Sequence, residues 1–305
     1  MLLSAEAIAE KVNGYKQGDV PAECEVLTAF VDVQMDLLYY LVVAWQKETF
    51  SGFVIDYGAY PDQGAEYFTT AGVKQTLAIA SRGAGLEGSI YAGLDRLTGD
   101  LLTKDWRRED GGVVRIDRLL IDANWGRSTD TVYKFVRNST HAANLTPSHG
   151  VKDSASSLPF DQYKWKRGDV IGDHWRKPSV QAKRAVRHVI YPANYWKSFV
   201  QARLATAMGD RGCLSLFKAA PRRHRMLAEH LTAEFAKETQ GSGRVLQEWF
   251  LRPGFDNHLL DCLVGAAVAA SMEGGSLMGD GQAERKRKKL NLIELREKNR
   301  RNRRR

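Results

Sequence analysis

Three aspartates of the 305-residue chain stand among apolar neighbours. Asp32 follows Ala29-Phe30-Val31, Asp122 closes Leu119-Leu120-Ile121, and Asp261 lies between Leu259-Leu260 and Cys262-Leu263-Val264. A carboxylate withdrawn from water is costly unless something compensates its charge, and a divalent cation is one way to do so. Mg²⁺ and Mn²⁺ prefer carboxylate oxygens. Two such ions about 4 Å apart can activate a water and stabilise the leaving oxygen of a phosphodiester. Taken singly, each acid has a plainer reading: an Asp at a strand end is most often a turn or cap residue, and one inside a helix can be ion-paired. It is the trio that points to chemistry. Asp36 reads as a turn residue or a group supporting the others, Asp56 as a strand-face acid, and Asp117 as exposed, being out of step with its apolar neighbours.

Such a trio needs rigid elements to hold it. Residues 26–34, 36–46 and 51–60 are rich in β-branched and aromatic residues and separated by short polar breaks, which predicts a three-stranded antiparallel meander. Asp32 falls in its first strand. A helix is expected over 89–102, with Gly93 a mild breaker. Residues 115–126 read as a short strand ending in Asp122, a Gly-containing loop, and then a helix over 129–137 with Ser128 as its N-cap. A strand-loop-helix unit is how a strand joins a sheet by a crossover. Residues 141–190 are polar without a clear period and read as an elaborated loop or small β insertion. Helices are expected over 194–208, 223–239 and 256–272, the last buried against the sheet because it is small and apolar after Asp261. The expected class is α/β, a mixed sheet of three antiparallel strands then parallel strands, with flanking helices.

The net charge of +9 is misleading as a guide to the body of the chain. Residues 285–305 carry 12 Lys/Arg and 2 Glu, a net of +10, which leaves −1 for everything before them. Basicity therefore sits in the tail. The longest apolar runs, 37–45 and 262–270, are far short of the ~20 residues that cross a bilayer. No basic-then-apolar leader opens the chain, and the expectation is a soluble protein kept in a cytoplasm. Cys24, Cys213 and Cys262 are odd in number, widely spaced and without a C-x-x-C pair, which argues against structural zinc. Candidate phosphate contacts in the body are Lys164, Lys166 and Arg167 around Trp165, with Arg222, Arg223 and Arg225 next; a solvated basic face is the alternative. The tail, with Arg285, Lys286 and Arg287, reads as a nonspecific DNA tether or docking arm, disordered without a partner.

Four segments, in order, resemble the nuclease half of the large terminase subunit of lambda-like tailed phages. They are the lead-in ending in VLTAFVDVQMD, the stretch LLIDANWG, the segment YPANYWKSFVQARL, and RPGFDNHLLDCLVGAAVAA. The first and last are the most specific; 139–189 is weakly matched. The resemblance implies a ribonuclease H-like fold, a lead-in over 1–25, a nuclease domain over 26–278 and a basic tail over 279–305. It implies an endonuclease that cuts double-stranded DNA during viral genome packaging in the host bacterial cytoplasm. Asp32, Asp122 and Asp261 take the metal-ligand positions, Asp32 bridging two Mg²⁺ or Mn²⁺ ions. His258 stands where some relatives have Glu, which puts a fourth acidic ligand in doubt, and Asn257 fits as a helix-start residue. Implied partners are a terminase ATPase, the small terminase subunit and the portal or procapsid. The chain has no G-x-x-x-x-G-K-[ST] loop, so the motor is expected on a separate chain or a missing domain. Two alternatives stay open: another ribonuclease H-like DNA enzyme of resolvase or transposase type, and a non-catalytic packaging adaptor.

Overall fold

The computed structural model describes residues 2–164, 166–180 and 186–275. The tail, with Arg285, Lys286 and Arg287, lies outside them, as does Trp165. The chain opens with α1 (Ala5–Ala9), capped by the Ser4 hydroxyl, and β1 (Asp19–Val20). Ile8 is fully buried in the main core, so the segment before the meander packs into the same body.

The expected meander is present as β2 (Val26–Val33), β3 (Leu38–Trp45) and β4 (Gly52–Tyr60), paired antiparallel in chain order. All eight residues of β2 are buried, the pattern of a strand covered on both faces. Then come α2 (Leu77–Ala80), α3 (Gly85–Thr103), β5 (Trp106–Arg108), β6 (Val113–Val114), β7 (Arg118–Asp122) and α4 (Thr129–Asn138). Strand β7 lies parallel to β2, with Phe30 opposite Leu120 and Val31 opposite Ile121. Asp32 and Asp122 are the next residues along their strands. Ser128 occupies the N-cap position of α4 without capping it; its hydroxyl donates to the Trp125 carbonyl at 3.0 Å.

Two expectations are corrected. Residues 141–190, expected as an elaborated loop or small β insertion, are strands of the main sheet itself: they supply β8 (Leu145–Val151), β9 (Val170–Gly172), β10 (Trp175–Lys177) and the first half of β11 (Val189–Pro192). Strands β7, β8 and β11 are mutually parallel neighbours in the sheet. The signal is weak because β8 reads LTPSHGV, with Pro147, Gly150 and a buried Ser148 whose hydroxyl donates to Ile121 O. After α5 (Ala193–Ala205) and β12 (Leu214–Leu216), helix α6 (Pro221–Leu231) ends well before the expected residue 239. Residues Glu234–Gly241 (β13) and Arg244–Leu251 (β14) form a hairpin instead. Ser242 and Gly243 both have positive φ, 51° and 74°, the backbone of a two-residue hairpin turn.

The main sheet has nine strands, ordered β12-β4-β3-β2-β7-β8-β11-β10-β9. Its centre is the predicted arrangement, three antiparallel strands followed by parallel ones. Apolar residues of α3 and α4 pack on one face with Ala29, Val31 and Val33. On the other face lie α1, α5, α6 and the last helix, α7 (His258–Met272), with Phe30, Tyr39 and Trp45. No helix among the described residues is long and apolar enough to cross a membrane. Cys24, Cys213 and Cys262 are buried free thiols.

Candidate metal centre

The position of α7 over the sheet is set by one small residue. A Cβ on Gly265 would stand 1.7 Å from the Phe30 ring, so only glycine lets the helix backbone come this close to β2. At the next residue the Thr28 hydroxyl donates to Ala266 O at 2.9 Å while accepting from the Trp45 indole at 2.8 Å. Leu259, Leu260 and Leu263 are fully buried, each worth ~1.5–3 kcal/mol by burial of its side chain. Asp261 lies one turn before Gly265, on the same packed helix.

The result is that Asp32, Asp122 and Asp261 line a single cleft of about 400 Å³, together with Gln34, Tyr191 and Lys197. Alternation along the strands explains the first two: Phe30 and Leu120 belong to the core on the α7 side, and the acids two residues on face the same way. A larger hollow of about 620 Å³ lies between α1 and α6. Its two inner acids each carry a cation or a donor already, Glu229 with Arg225 and Tyr67 and Glu234 with Lys197, and its third, Glu6, lies apart from them on α1. The acid-lined cleft is therefore the better candidate for chemistry.

Each aspartate is held by named donors. Asp32 is 4% exposed, and its Oδ2 accepts from Gln34 Nε2 at 2.9 Å and lies 2.8 Å from His258 Nδ1. Asp122 accepts from the Asn124 amide at 3.2 Å. The loop behind it is tied down by Asn124 Nδ2 to Gly150 O at 2.9 Å, and by a chain from Asn124 Oδ1 through His149 to Tyr133. Asp261 accepts from Asn257 Nδ2 on Oδ2, and Lys197 Nζ stands 3.2 Å from its Oδ1.

The electrostatics show a site short of positive charge. Burial, and after it the charge of Asp32, push Asp122 well above the usual carboxylate range. Burial pushes Asp261 up to about 6, with Asp32 adding and Lys197 opposing. Burial and the three acids together drive the Tyr191 hydroxyl far up. Burial works against the Lys197 ammonium, but the charges of Asp261 and Glu234 outweigh it and raise its pKa. The same balance raises His258, burial opposing and Asp32 prevailing. His258 stacks on Tyr39 at 4.6 Å, and its neighbour His230 is pushed down to about 4 by burial first and by His258 next.

Among the described residues no three His, Cys, Asp or Glu side chains form a ready-made cage for a metal ion. A closed cage is not what a hard divalent cation needs. Mg²⁺ keeps several waters and is commonly bound by one or two carboxylates plus substrate phosphate. Three carboxylate donors that repel one another across a cleft suit such an ion.

The other predicted residues lie elsewhere. Lys164, Lys166 and Arg167 are exposed, and the lysines lining the acidic cleft are Lys152 and Lys197 instead. Arg222 and Arg225 border a hollow beside α1, Arg225 pairing with Glu229, and Arg223 lies 5.1 Å over the Tyr57 ring. Asp56 is buried, accepting from Gln17 and pairing with Lys104; Asp117 is exposed as expected. Gln34, Tyr191, Lys197 and Glu234 were not singled out by their types. Gln34 carried a local signal, two residues beyond Asp32 and so on the same side of the chain, and Tyr191 and Lys197 fall in the resembling segment YPANYWKSFVQARL; Glu234 had neither.

A family model described as "Terminase large subunit gpA, endonuclease domain" matches residues 1–278. The chain belongs to that family. Among solved structures, a mutant nuclease domain of the large terminase subunit gp2 of bacterial virus Sf6, with manganese, is similar at 13% identity and a TM-score of 0.43. That likeness covers 87% of this chain and 97% of the other. No curated protein matches the chain at a significant level. The family's endonuclease activity gives the acid-lined cleft its context, a nuclease domain whose three aspartates come from β2, β7 and α7.

Proposed function

We propose that the chain is a metal-dependent endonuclease that cuts double-stranded DNA during viral genome packaging, with Asp32, Asp122 and Asp261 as its metal ligands. The observation that carries this reading is the convergence of these three acids in one cleft, where Asp122 is held against its charge by burial and by Asp32. Two Mg²⁺ or Mn²⁺ ions bound there would supply charge stabilisation for the phosphoryl group and a more acidic attacking water.

The chain's own residues do the positioning. Asp32, on a strand paired on both sides, is the most rigidly placed of the three and the one suited to bridge two ions. Gln34 and His258 fix its carboxylate from the solvent end of the strand and from α7. Asn124 fixes Asp122, and Asn257 fixes Asp261. Lys197 keeps a positive charge at the cleft wall, where an incoming phosphate oxygen meets it. Lys152 lines the same cleft and offers a second cation to the strand.

In this reading residues 26–278 are the nuclease domain and 1–25 lead into it. The basic run 279–305 tethers DNA through residues such as Arg285, Lys286 and Arg287, and Lys164, Lys166 and Arg167 are peripheral phosphate contacts. ATP hydrolysis, choice of cutting site and docking to the procapsid belong to partners: a terminase ATPase, the small subunit and the portal. The test is plasmid cleavage by the purified chain with Mg²⁺ or Mn²⁺. Nicking that needs the ion and disappears in Asp32→Asn supports the assignment. Equal cleavage by both proteins, or cleavage in EDTA, overturns it.

A further inference from the structure

Glu234 opens β13 directly after α6 and is 3% exposed. A buried carboxylate at such a place calls for partners, and it has two. Its Oε1 accepts from Lys197 Nζ at 2.5 Å and from Asn257 Nδ2 at 2.6 Å. These are the same two side chains that hold Asp261: Lys197 stands 3.2 Å from Asp261 Oδ1, and Asn257 donates to Oδ2 at 3.2 Å. The four residues therefore close a ring in which each oxygen of Asp261 is linked to Glu234 through one donor. The second oxygen, Glu234 Oε2, is buried with no hydrogen-bond partner among the described residues. Glu234 thus has spare acceptor capacity within reach of the ammonium.

The ring sets up a competition. Lys197 is 13% exposed on its side chain, so its charge cannot simply turn to water. A divalent cation arriving at Asp261 must displace an ammonium that is already there, and the ammonium needs another anion to rest against. We propose that Glu234 is a positioning residue that supplies this second seat, holding Lys197 when Asp261 is taken by the metal and so making Asp261 available to it. This inference rests on the reading of Asp261 as a metal ligand given above. Without the Glu234 carboxylate, metal binding would leave a buried lysine with no partner, facing a second cation; that is the arrangement buried charges avoid.

The test is Mn²⁺ binding by titration calorimetry, without DNA, on the wild-type chain and the variants Glu234→Gln, Lys197→Gln and the two combined. Glu234→Gln keeps the shape of the side chain and an acceptor for Asn257 while removing the anion. Its Mn²⁺ affinity is expected to fall about tenfold, the size of a coupling between groups in one network. Lys197→Gln removes the competitor and is expected to bind more tightly than wild type. In the combined variant the loss caused by Glu234→Gln should largely vanish, because there is no ammonium left to seat. An equal loss in both backgrounds means that Glu234 acts only through its charge and overturns the proposal, as does wild-type affinity in Glu234→Gln. Should Glu234→Gln fail to fold, judged by circular dichroism, Lys197→Gln still decides: unchanged or weaker binding contradicts the competition. Absence of Mn²⁺ binding by the wild type overturns this proposal together with the metal-centre reading, whereas wild-type binding with no effect of Glu234→Gln overturns this proposal alone.

Discussion

His258, at the start of the last helix, meets Asp32 on the central strand at 2.8 Å from Nδ1 to Oδ2. The imidazole occupies one oxygen of the acid best placed to hold metal, and stacks on Tyr39 behind it. Its pKa is raised because the hydrogen bond and charge of Asp32 outweigh burial. A histidine raised in the folded state stabilises the fold fully below its unfolded value of about 6.5, and that contribution is lost as pH rises through the folded value. The metal-free wild type should therefore exceed His258→Asn in Tm by more at about pH 5.5 than at about pH 8.5. Thermal melts of both proteins across that range check it; a gap that widens towards high pH contradicts it.

Asp122 bears the opposite penalty. Burial and the charge of Asp32 disfavour its ionised form, so removing that charge should stabilise the metal-free protein. Asp122→Asn keeps an oxygen for the Asn124 amide and is expected to raise Tm, each kcal/mol being worth about 2–4 °C in a domain of this size. The same variant should lose the stabilisation that Mn²⁺ gives the wild type. Melts with and without Mn²⁺ read both effects at once.

Metal binding should release protons. Asp261, pushed up to about 6, is partly protonated near pH 6.5, burial and the charge of Asp32 raise Asp122 as well, and a cation binds the carboxylate form. Calorimetry of Mn²⁺ binding in buffers of different ionisation enthalpy should report net release near pH 6.5, diminishing as pH is raised. Net uptake, or no dependence on buffer, would speak against these acids as the ligands.

Gly265 is expected to be intolerant of any side chain. A Cβ there meets the Phe30 ring at 1.7 Å, and neither the helix nor the central strand can move without disturbing the core. Gly265→Ala should cost at least about 2 kcal/mol of stability, the range for overpacking a close-packed interior. It should also weaken Mn²⁺ binding, because Asp261 moves with α7. Gly99→Ala, on α3 with nothing within 4 Å of the added carbon, is the control expected to leave Mn²⁺ binding unchanged and to raise stability by up to about 1 kcal/mol, the helix preference of Ala over Gly.

What could be read beforehand, and what could not, follows from the kind of signal each element carries. Strands β2 and β7 and helix α7 are apolar runs each broken by one acid, so both the elements and the acids were visible in the order of residues. The parallel strands β8 and β11 were not: Pro147, Ser148 and Gly150 obscure any alternation, and β8 is recognisable only once Ile121 and its neighbours are seen beside it. The hairpin 234–251 was concealed by the helical period of α6 running into it, although Ser242-Gly243 marks its turn. The supporting residues Lys197, Glu234 and His258 come from three separate elements, α5, β13 and α7, and their meeting around Asp32 and Asp261 is a property of the packed sheet and helices.

The central claim is that Asp32, Asp122 and Asp261 jointly bind divalent metal. The most direct measurement is an anomalous difference map from crystals of the chain grown with Mn²⁺. The account predicts anomalous peaks bounded by these three carboxylates, with Lys197 drawn off Asp261 Oδ1. A cleft without a peak, in which His258, Gln34 and Lys197 keep their present contacts to the aspartates, would contradict it.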